Sequence, residues 1–196
     1  MKKANSILIK SLLLFLIFFV KAESKIISIG NEEAKVKIKV FSSLSCPACA
    51  NFHSKIFKQL KLDFIDKNLV KFEHHPFPLN FAALNAELIL RCHVDKDKKI
   101  KLLDKLYQKQ GVWAFESDKV KMNNEIKKIG LEIDLNNEKM NNCLENDKFQ
   151  DEILGHRLEA QKKYKIESTP TILINEKKYN GKIDYKAFKK TLEKYL

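Results

Sequence analysis

Cys46-Pro47-Ala48-Cys49 is the stretch of this chain whose residue types and spacing are best suited to chemistry. Two cysteines separated by two residues can open and close a disulfide, which is the basis of dithiol redox chemistry. Pro47 suits the first turn of a helix, where its missing N–H costs nothing. A helix opening there places the sulfur of Cys46 at its N-terminus, where free N–H groups and the helix dipole favour a thiolate. Cys49 then lies one turn in, within reach of a disulfide and better covered. Two other uses of such a pair stay open at this level. Half of a zinc site needs a second ligand pair at suitable spacing, but Cys92 and Cys143 are not paired in sequence and the five histidines show no finger-like spacing. A purely structural bridge across two residues is uncommon.

The elements that must position this motif can be read on either side of it. Ile26 to Ile29 is a short edge-strand candidate, followed by a turn at Gly30-Asn31. In Lys35 to Ser42, Val36, Ile38 and Val40 alternate with lysines, the period of a strand. After the cysteines, Phe52, Ile56, Phe57 and Leu60 recur at helical spacing, which predicts a helix from Cys46 to about Ile65. Leu69 to His74 reads as a third strand, broken by His75-Pro76-Phe77-Pro78. A helical block follows: near Asn80 to Cys92, then Lys98 to Gln108, Ser117 to Ile129, Asn136 to Leu144 and the polar Asp147 to Tyr164. Thr171 to Ile174 is a strand, Asn175-Glu176 a tight turn, and Lys178-Tyr179 a short return. Asp184 caps a last helix through Tyr195, with Phe188 and Leu192 inward. The crossover rule favours parallel pairing of the two strands that flank the CxxC helix. The class is therefore α/β, with a helical insertion between the third and fourth strands.

The N-terminus reads as a targeting segment. Lys2, Lys3 and Lys10 precede an apolar run, Ser11 to Val20, that is short for a membrane span. Val20-Lys21-Ala22 offers small residues for cleavage after Ala22. An uncleaved membrane anchor is the alternative. Either way the folded part is expected outside the cytoplasm, in an oxidising compartment such as the periplasm, where disulfides persist. Net charge is +12, of which Lys2, Lys3, Lys10 and Lys21 belong to the expected signal. The remainder is spread through helices and interleaved with acids, and Arg91 and Arg157 are the only arginines. That is a solvated surface rather than a nucleic-acid interface. The expected divisions are 1–22 as signal peptide, 23–79 and 164–196 as the two parts of the main fold, and 80–163 as the insertion.

With these elements in order, Ser168-Thr169-Pro170-Thr171 becomes informative. Together with the CxxC, the chain resembles the DsbA-like family of exported thiol-disulfide oxidoreductases. Phe41-Ser42-Ser43-Leu44-Ser45, Phe77-Pro78-Leu79, Leu90-Arg91-Cys92, Gln110-Gly111-Val112-Trp113 and Cys143-Leu144 also match that family's pattern. The resemblance covers the chain from the second strand to the last helix. It implies a thioredoxin fold with an inserted all-helical subdomain. It implies catalytic roles for Cys46 and Cys49, cycling between dithiol and disulfide, and a cis-proline loop at Thr169-Pro170 that lies beside them and pairs with an extended substrate. Some relatives carry a second bridge in the helical subdomain, which here would join Cys92 to Cys143 as a structural disulfide; two buried free thiols are the alternative. Trp113, Phe115 and the other phenylalanines are expected in the core.

The chain departs from the family pattern twice. Pro47-Ala48 stands where the strongest oxidases resemble Pro-His, so the histidine that helps hold the thiolate is missing. Val40 stands six residues before Cys46, where many relatives carry a buried acid that relays protons to the second cysteine. Glu73, His74 and His75 are candidates by proximity, though loop or surface positions are expected for them.

The expected function is an oxidase that introduces disulfides into exported polypeptides with free cysteines, acting as a monomer without cofactor or metal. A membrane quinone-linked partner that reoxidises it is left open by the resemblance. Two alternatives stand beside this: a monomeric reductase or isomerase of the same fold, and a non-catalytic surface protein on the same scaffold.

Overall fold

The structure, a computed structural model, describes residues 26–196; the expected signal segment lies outside them. Five strands form one mixed sheet: β1 (Ile27–Gly30), β2 (Val36–Ser42), β3 (Val70–Pro76), β4 (Thr171–Ile174) and β5 (Lys177–Lys178), in the order β1-β3-β2-β4-β5. β2 and β3 run parallel, with Val36 opposite Val70 and Val40 opposite His74. β1 is antiparallel to β3, and β4 to β2. The parallel pair needs a crossover, and the helical run after the CxxC supplies it.

That run is α1 (Pro47–Phe52), a π-helical stretch His53–Phe57, α2 (Lys58–Leu60) and a second π-helical stretch Lys61–Ile65. A single regular helix was the expectation from periodicity. The wider turns bring neighbours such as Phe52 and His53, or Ile56 and Phe57, to the buried side together. Phe52, Ile56, Phe57, Leu60 and Phe64 pack on Val36, Ile38, Val40 and Phe72 of the sheet. The last helix, α9 (Tyr185–Leu192), adds Phe188 and Leu192 to the same layer. It stops three residues before the expected Tyr195.

Between β3 and β4 lie α3 (Phe81–Arg91), α4 (Lys96–Gln108), α5 (Gln110–Trp113), α6 (Lys119–Leu131), α7 (Asn137–Leu144) and α8 (Asp147–Tyr164). The side chains of Asn80, Asp95, Asp118, Asn136 and Asn146 each cap the helix that follows, accepting a first-turn N–H. These short polar residues make the boundaries legible in the sequence. α5 was not foreseen, since four residues carry no periodicity. It is held by its neighbours, with the Trp113 indole N–H donating to the Leu106 carbonyl at 3.1 Å.

The block has its own core around Leu102, Leu103, Leu106, Trp113, Ile126 and Met140. Cys92, at the end of α3, is bonded to Cys143 of α7 at a Cα separation of 6.0 Å. Trp113 is fully buried, but Phe115 is 66% exposed, contrary to the expectation of a core position. It falls in the turn after α5, outside any packed face.

Several strand ends differ from the sequence reading by a residue or two; β1, for instance, runs Ile27–Gly30 rather than Ile26–Ile29. β3 continues through His75 to Pro76, where a break was expected. Pro76 sits at the last register position opposite Ser42, so its missing N–H removes no interior ladder bond. Glu73, His74 and His75 are consequently not loop or surface residues; all three are buried in β3. The turn at Asn175-Glu176 has both residues at positive φ, 46° and 67°, the geometry of a two-residue hairpin, and the return strand begins at Lys177, one residue before the expected start.

Candidate active site

Cys46 occupies the N-cap of α1 in extended conformation, and Pro47 follows as the first helical residue. The loop before it is tied down locally: the Cys46 N–H donates to the Ser43 carbonyl at 3.1 Å, and the Ser43 and Ser45 hydroxyls meet at 3.2 Å. The insertion closes on the same loop from outside. The Gln110 side-chain amide donates to the Leu44 carbonyl at 2.7 Å and to the Cys46 carbonyl at 3.0 Å. α5 therefore acts as a clamp on the backbone that carries the sulfur. Gln110 belongs to the Gln110-Gly111-Val112-Trp113 stretch that matches the family pattern, and nothing local in that stretch assigns it a role.

Cys46 and Cys49 are both free thiols in this structure. Cys46 is partly exposed, whereas Cys49 is 1% exposed and packed in the core of the helical block. Thr169 comes to Cys46 from 123 residues away: its carbonyl accepts from the Cys46 sulfur at 3.3 Å. The Thr169–Pro170 peptide is cis. The Thr169 hydroxyl is buried and beside both sulfurs.

The two sulfurs are pulled in opposite directions. The Cys49 thiol, donating to the Cys46 sulfur, is the main influence holding Cys46 down to about 5. Burial opposes this; the Thr169 hydroxyl and the backbone N–H groups of Cys49 and Ala48 support it. Those two N–H groups are the free donors of a helix N-terminus. Cys49 is pushed far above the ordinary thiol range, first by burial and then by its neighbour's charge. The arrangement is one exposed, ionised sulfur and one covered, protonated sulfur.

This has a measurable consequence. Cys46 should titrate near pH 5 in the reduced protein, followed by thiolate absorbance or by the rate of alkylation. Its pKa is depressed on folding, so its contribution to stability is present above the unfolded thiol value of roughly 8.5 and is lost as pH falls through the folded value. A midpoint near roughly 8.5 would show that the helix start does not stabilise the thiolate.

A buried polar cluster lies near the cysteines; of its members the sequence pointed only to His74, by proximity. His74 of β3 donates to Glu87 of α3 at 3.0 Å, each residue 3% exposed. His53 meets Asp104 of α4 at 2.5 Å. Tyr107 of α4 lies between them, its ring 4.7 Å from that of His53 and 6.5 Å from that of His74. Helical spacing marks α4 as amphipathic but does not say what its buried face meets.

Beside the cis peptide runs an open groove of about 230 Å³, lined by Ser168, Pro170, Ile172, Tyr179 and Ile183, with Lys165 and Lys178 also along it. A larger cavity, about 550 Å³, lies under α8 against Phe41, His75, His156 and Tyr164. It contains neither cysteine of the CxxC, and it belongs to the opposite side of the sheet from α1.

Comparison with known proteins finds relatives over most of the chain. A thioredoxin family profile matches residues 22–194. Disulfide bond formation protein D of Bacillus subtilis is 31% identical over 180 residues, covering 86% of this chain and 76% of that protein. A Rickettsia typhi protein named as a protein-disulfide oxidoreductase is 26% identical over 155 residues, or 79% of this chain. The chain spans 56% of the length of that relative. Among solved structures, BdbD from Bacillus subtilis superposes with a TM-score of 0.74 at 26% identity, covering 87% of this chain and 92% of that one. Wolbachia pipientis alpha-DsbA1 has the same fold, with a TM-score of 0.80 at 21% identity and coverage of 87% and 90%.

Proposed function

This chain belongs to the thioredoxin family as a DsbA-like member, and from that membership we propose that it is a thiol-disulfide oxidoreductase that introduces disulfide bonds into exported proteins. The observation that carries this is the contrast between Cys46, ionised at a helix start, and Cys49, protonated one turn below. The disulfide-forming names of its relatives support the direction.

In the oxidised form Cys46 and Cys49 are joined. A substrate thiolate attacks the sulfur of Cys46; the Cys46–Cys49 bond breaks and Cys49 leaves, taking up a proton. A second substrate thiolate attacks the substrate sulfur of the mixed disulfide and releases Cys46 as a thiolate. The substrate has lost two electrons and the protein has gained them. Cys46 is a good leaving group because its thiolate is stable at neutral pH, and the same stability favours the reduced protein and makes the couple oxidising. Thr169 and Pro170 bound the side from which substrate approaches, and the groove beside Pro170 is a surface along which an extended polypeptide could continue from there.

Residues 1–22 are read as the export signal, which places the protein in the periplasm, and residues 80–163 as the insertion on the thioredoxin scaffold. Among the described residues no helix is long and apolar enough to cross a membrane. The clients are exported polypeptides with free cysteines, and a membrane quinone-linked protein is the class of partner that would return the couple to its oxidised form.

The potential of the Cys46–Cys49 couple tests the direction. Ala48 supplies no imidazole to the thiolate, so a value between about −120 and −200 mV is expected, together with restored disulfides in a reporter when the full chain is expressed in cells lacking their periplasmic oxidase. A potential near roughly −270 mV, with no restoration, would reassign the protein as a reductase.

A further inference from the structure

Cys49 must exchange a proton each time its bond to Cys46 opens or closes, yet its sulfur is shut off from solvent. Val40, where an acid might have served, is itself buried among Ile38, Phe52 and Phe72. The side chains of β3 alternate between the two faces of the sheet. Glu73 and His75 turn to the side of Phe41 and α8, where His75 is 2.9 Å from Glu73 and 3.0 Å from His156. His74 turns the other way, toward Tyr107 and Glu87.

Tyr107 is buried in the same core cluster as Cys49. Its hydroxyl has no hydrogen-bond partner among the described residues and lies in the field of Cys49 and Glu87, near Ser42. A buried hydroxyl without a partner is destabilising, so its presence asks for a use. From the His74–Glu87 pair, a crevice leads outward between Ile27, Leu90 and Lys99. Its volume, about 20 Å³, is enough for one water.

We propose that the Tyr107 hydroxyl and the His74–Glu87 pair form the proton path of Cys49, with the pair as acceptor and the narrow crevice as its exit to solvent. This rests on the exchange chemistry proposed above. When Cys49 closes the bond to Cys46, its sulfur attacks the Cys46 sulfur of a mixed disulfide. The Cys46–substrate bond breaks and the substrate leaves as a thiolate. The proton of Cys49 passes to the Tyr107 oxygen as the Tyr107 proton passes to the pair. The pair, His74 hydrogen-bonded to Glu87, gains that proton and so loses one negative charge. The charge lost there appears on the departing thiolate, so the step balances. In the opposite direction the same groups return the proton to Cys49. The short approach of the hydroxyl to the sulfur is made in the reacting complex, as acid–base contacts commonly are.

The titratable groups facing this path are Cys46 and Cys49, His53 from the π-helical turn, His74 from β3, Glu87 from α3, and Asp104 and Lys99 from α4. Burial holds the His53 imidazole below its ordinary range, against the opposing pull of Asp104.

Mixing the reduced full chain with excess Ellman's disulfide separates the two sulfurs. A first release of coloured thiolate reports attack by Cys46. A second reports resolution by Cys49. Tyr107→Phe preserves the ring, and Glu87→Gln preserves a partner for His74. Each is expected to leave the first phase unchanged and to slow the second by about tenfold or more, at the low side of general acid–base effects, with a changed pH dependence. Glu159→Gln, exposed on α8, should alter neither phase. Second phases within about twofold of the parent in both variants, with the same pH profile, would overturn the path. Absence of the first phase in the unmodified protein would overturn the Cys46 chemistry itself and this inference with it.

Discussion

Cys46→Ser is expected to lose disulfide exchange altogether, a fall of at least about a thousandfold, as befits removal of a covalent nucleophile. The physical reason is local. Cys46 is the one sulfur that is both exposed and held as a thiolate by the helix start, by Cys49 and by Thr169. A serine hydroxyl in the same place would be neither ionised nor able to form a bond to sulfur. Cys49→Ala should behave differently in the same assay. Cys46 remains reactive, but the group that closes the bond is gone, so covalent adducts with exported proteins should accumulate on non-reducing gels. Equal exchange by Cys46→Ser and the parent protein would remove the basis for a redox function. Adducts absent from Cys49→Ala while Cys46 stays reactive would remove the resolving role of Cys49.

Removing the second bridge should cost stability but not chemistry. The bond from Cys92 to Cys143 closes a loop of 51 residues between α3 and α7. Loop-closure entropy gives about 4 kcal/mol for such a loop, and measured values for single bridges cluster around 2–4 kcal/mol. The Cys92→Ala, Cys143→Ala double variant should therefore melt about 5–15 °C lower, by circular dichroism under oxidising conditions. Its rate of attack through Cys46 should stay within about twofold of the parent, because neither sulfur of the bridge touches the α1 N-terminus. Two thiols open to alkylation in the native protein, isolated from its own compartment, would show that the bridge does not form there.

The parts of this protein that could be read from its residues are those set by short-range interactions. Pro47 after Cys46 declares a helix start, and the asparagine and aspartate caps mark six more. Alternation in Val36, Ile38 and Val40 marks a strand, and Asn175-Glu176 marks the hairpin turn between β4 and β5. The pairing of Thr169 with Cys46 was legible only through a motif resemblance, because no local rule connects residues 123 positions apart. Gln110 and Tyr107 were not legible as site residues. Their side chains matter because of which carbonyls and sulfurs lie opposite, and helical periodicity cannot state that. His74 and His75 show the same limit. Adjacent in sequence, they face opposite sides of a buried strand, and the expectation of a surface position failed because helices cover both faces there, Glu87 and Tyr107 meeting His74 and His156 meeting His75.

By itself, then, the sequence determined the reactive pair, the helix that activates it and the order of elements around it, since N–H groups at a helix start and side-chain caps act within a few residues. Only the tertiary structure decided which sulfur is desolvated and which polar groups surround it. Burial of Cys49 depends on α3, α4 and α5 closing over α1, and desolvation is a property of everything packed around a group rather than of its neighbours in the chain.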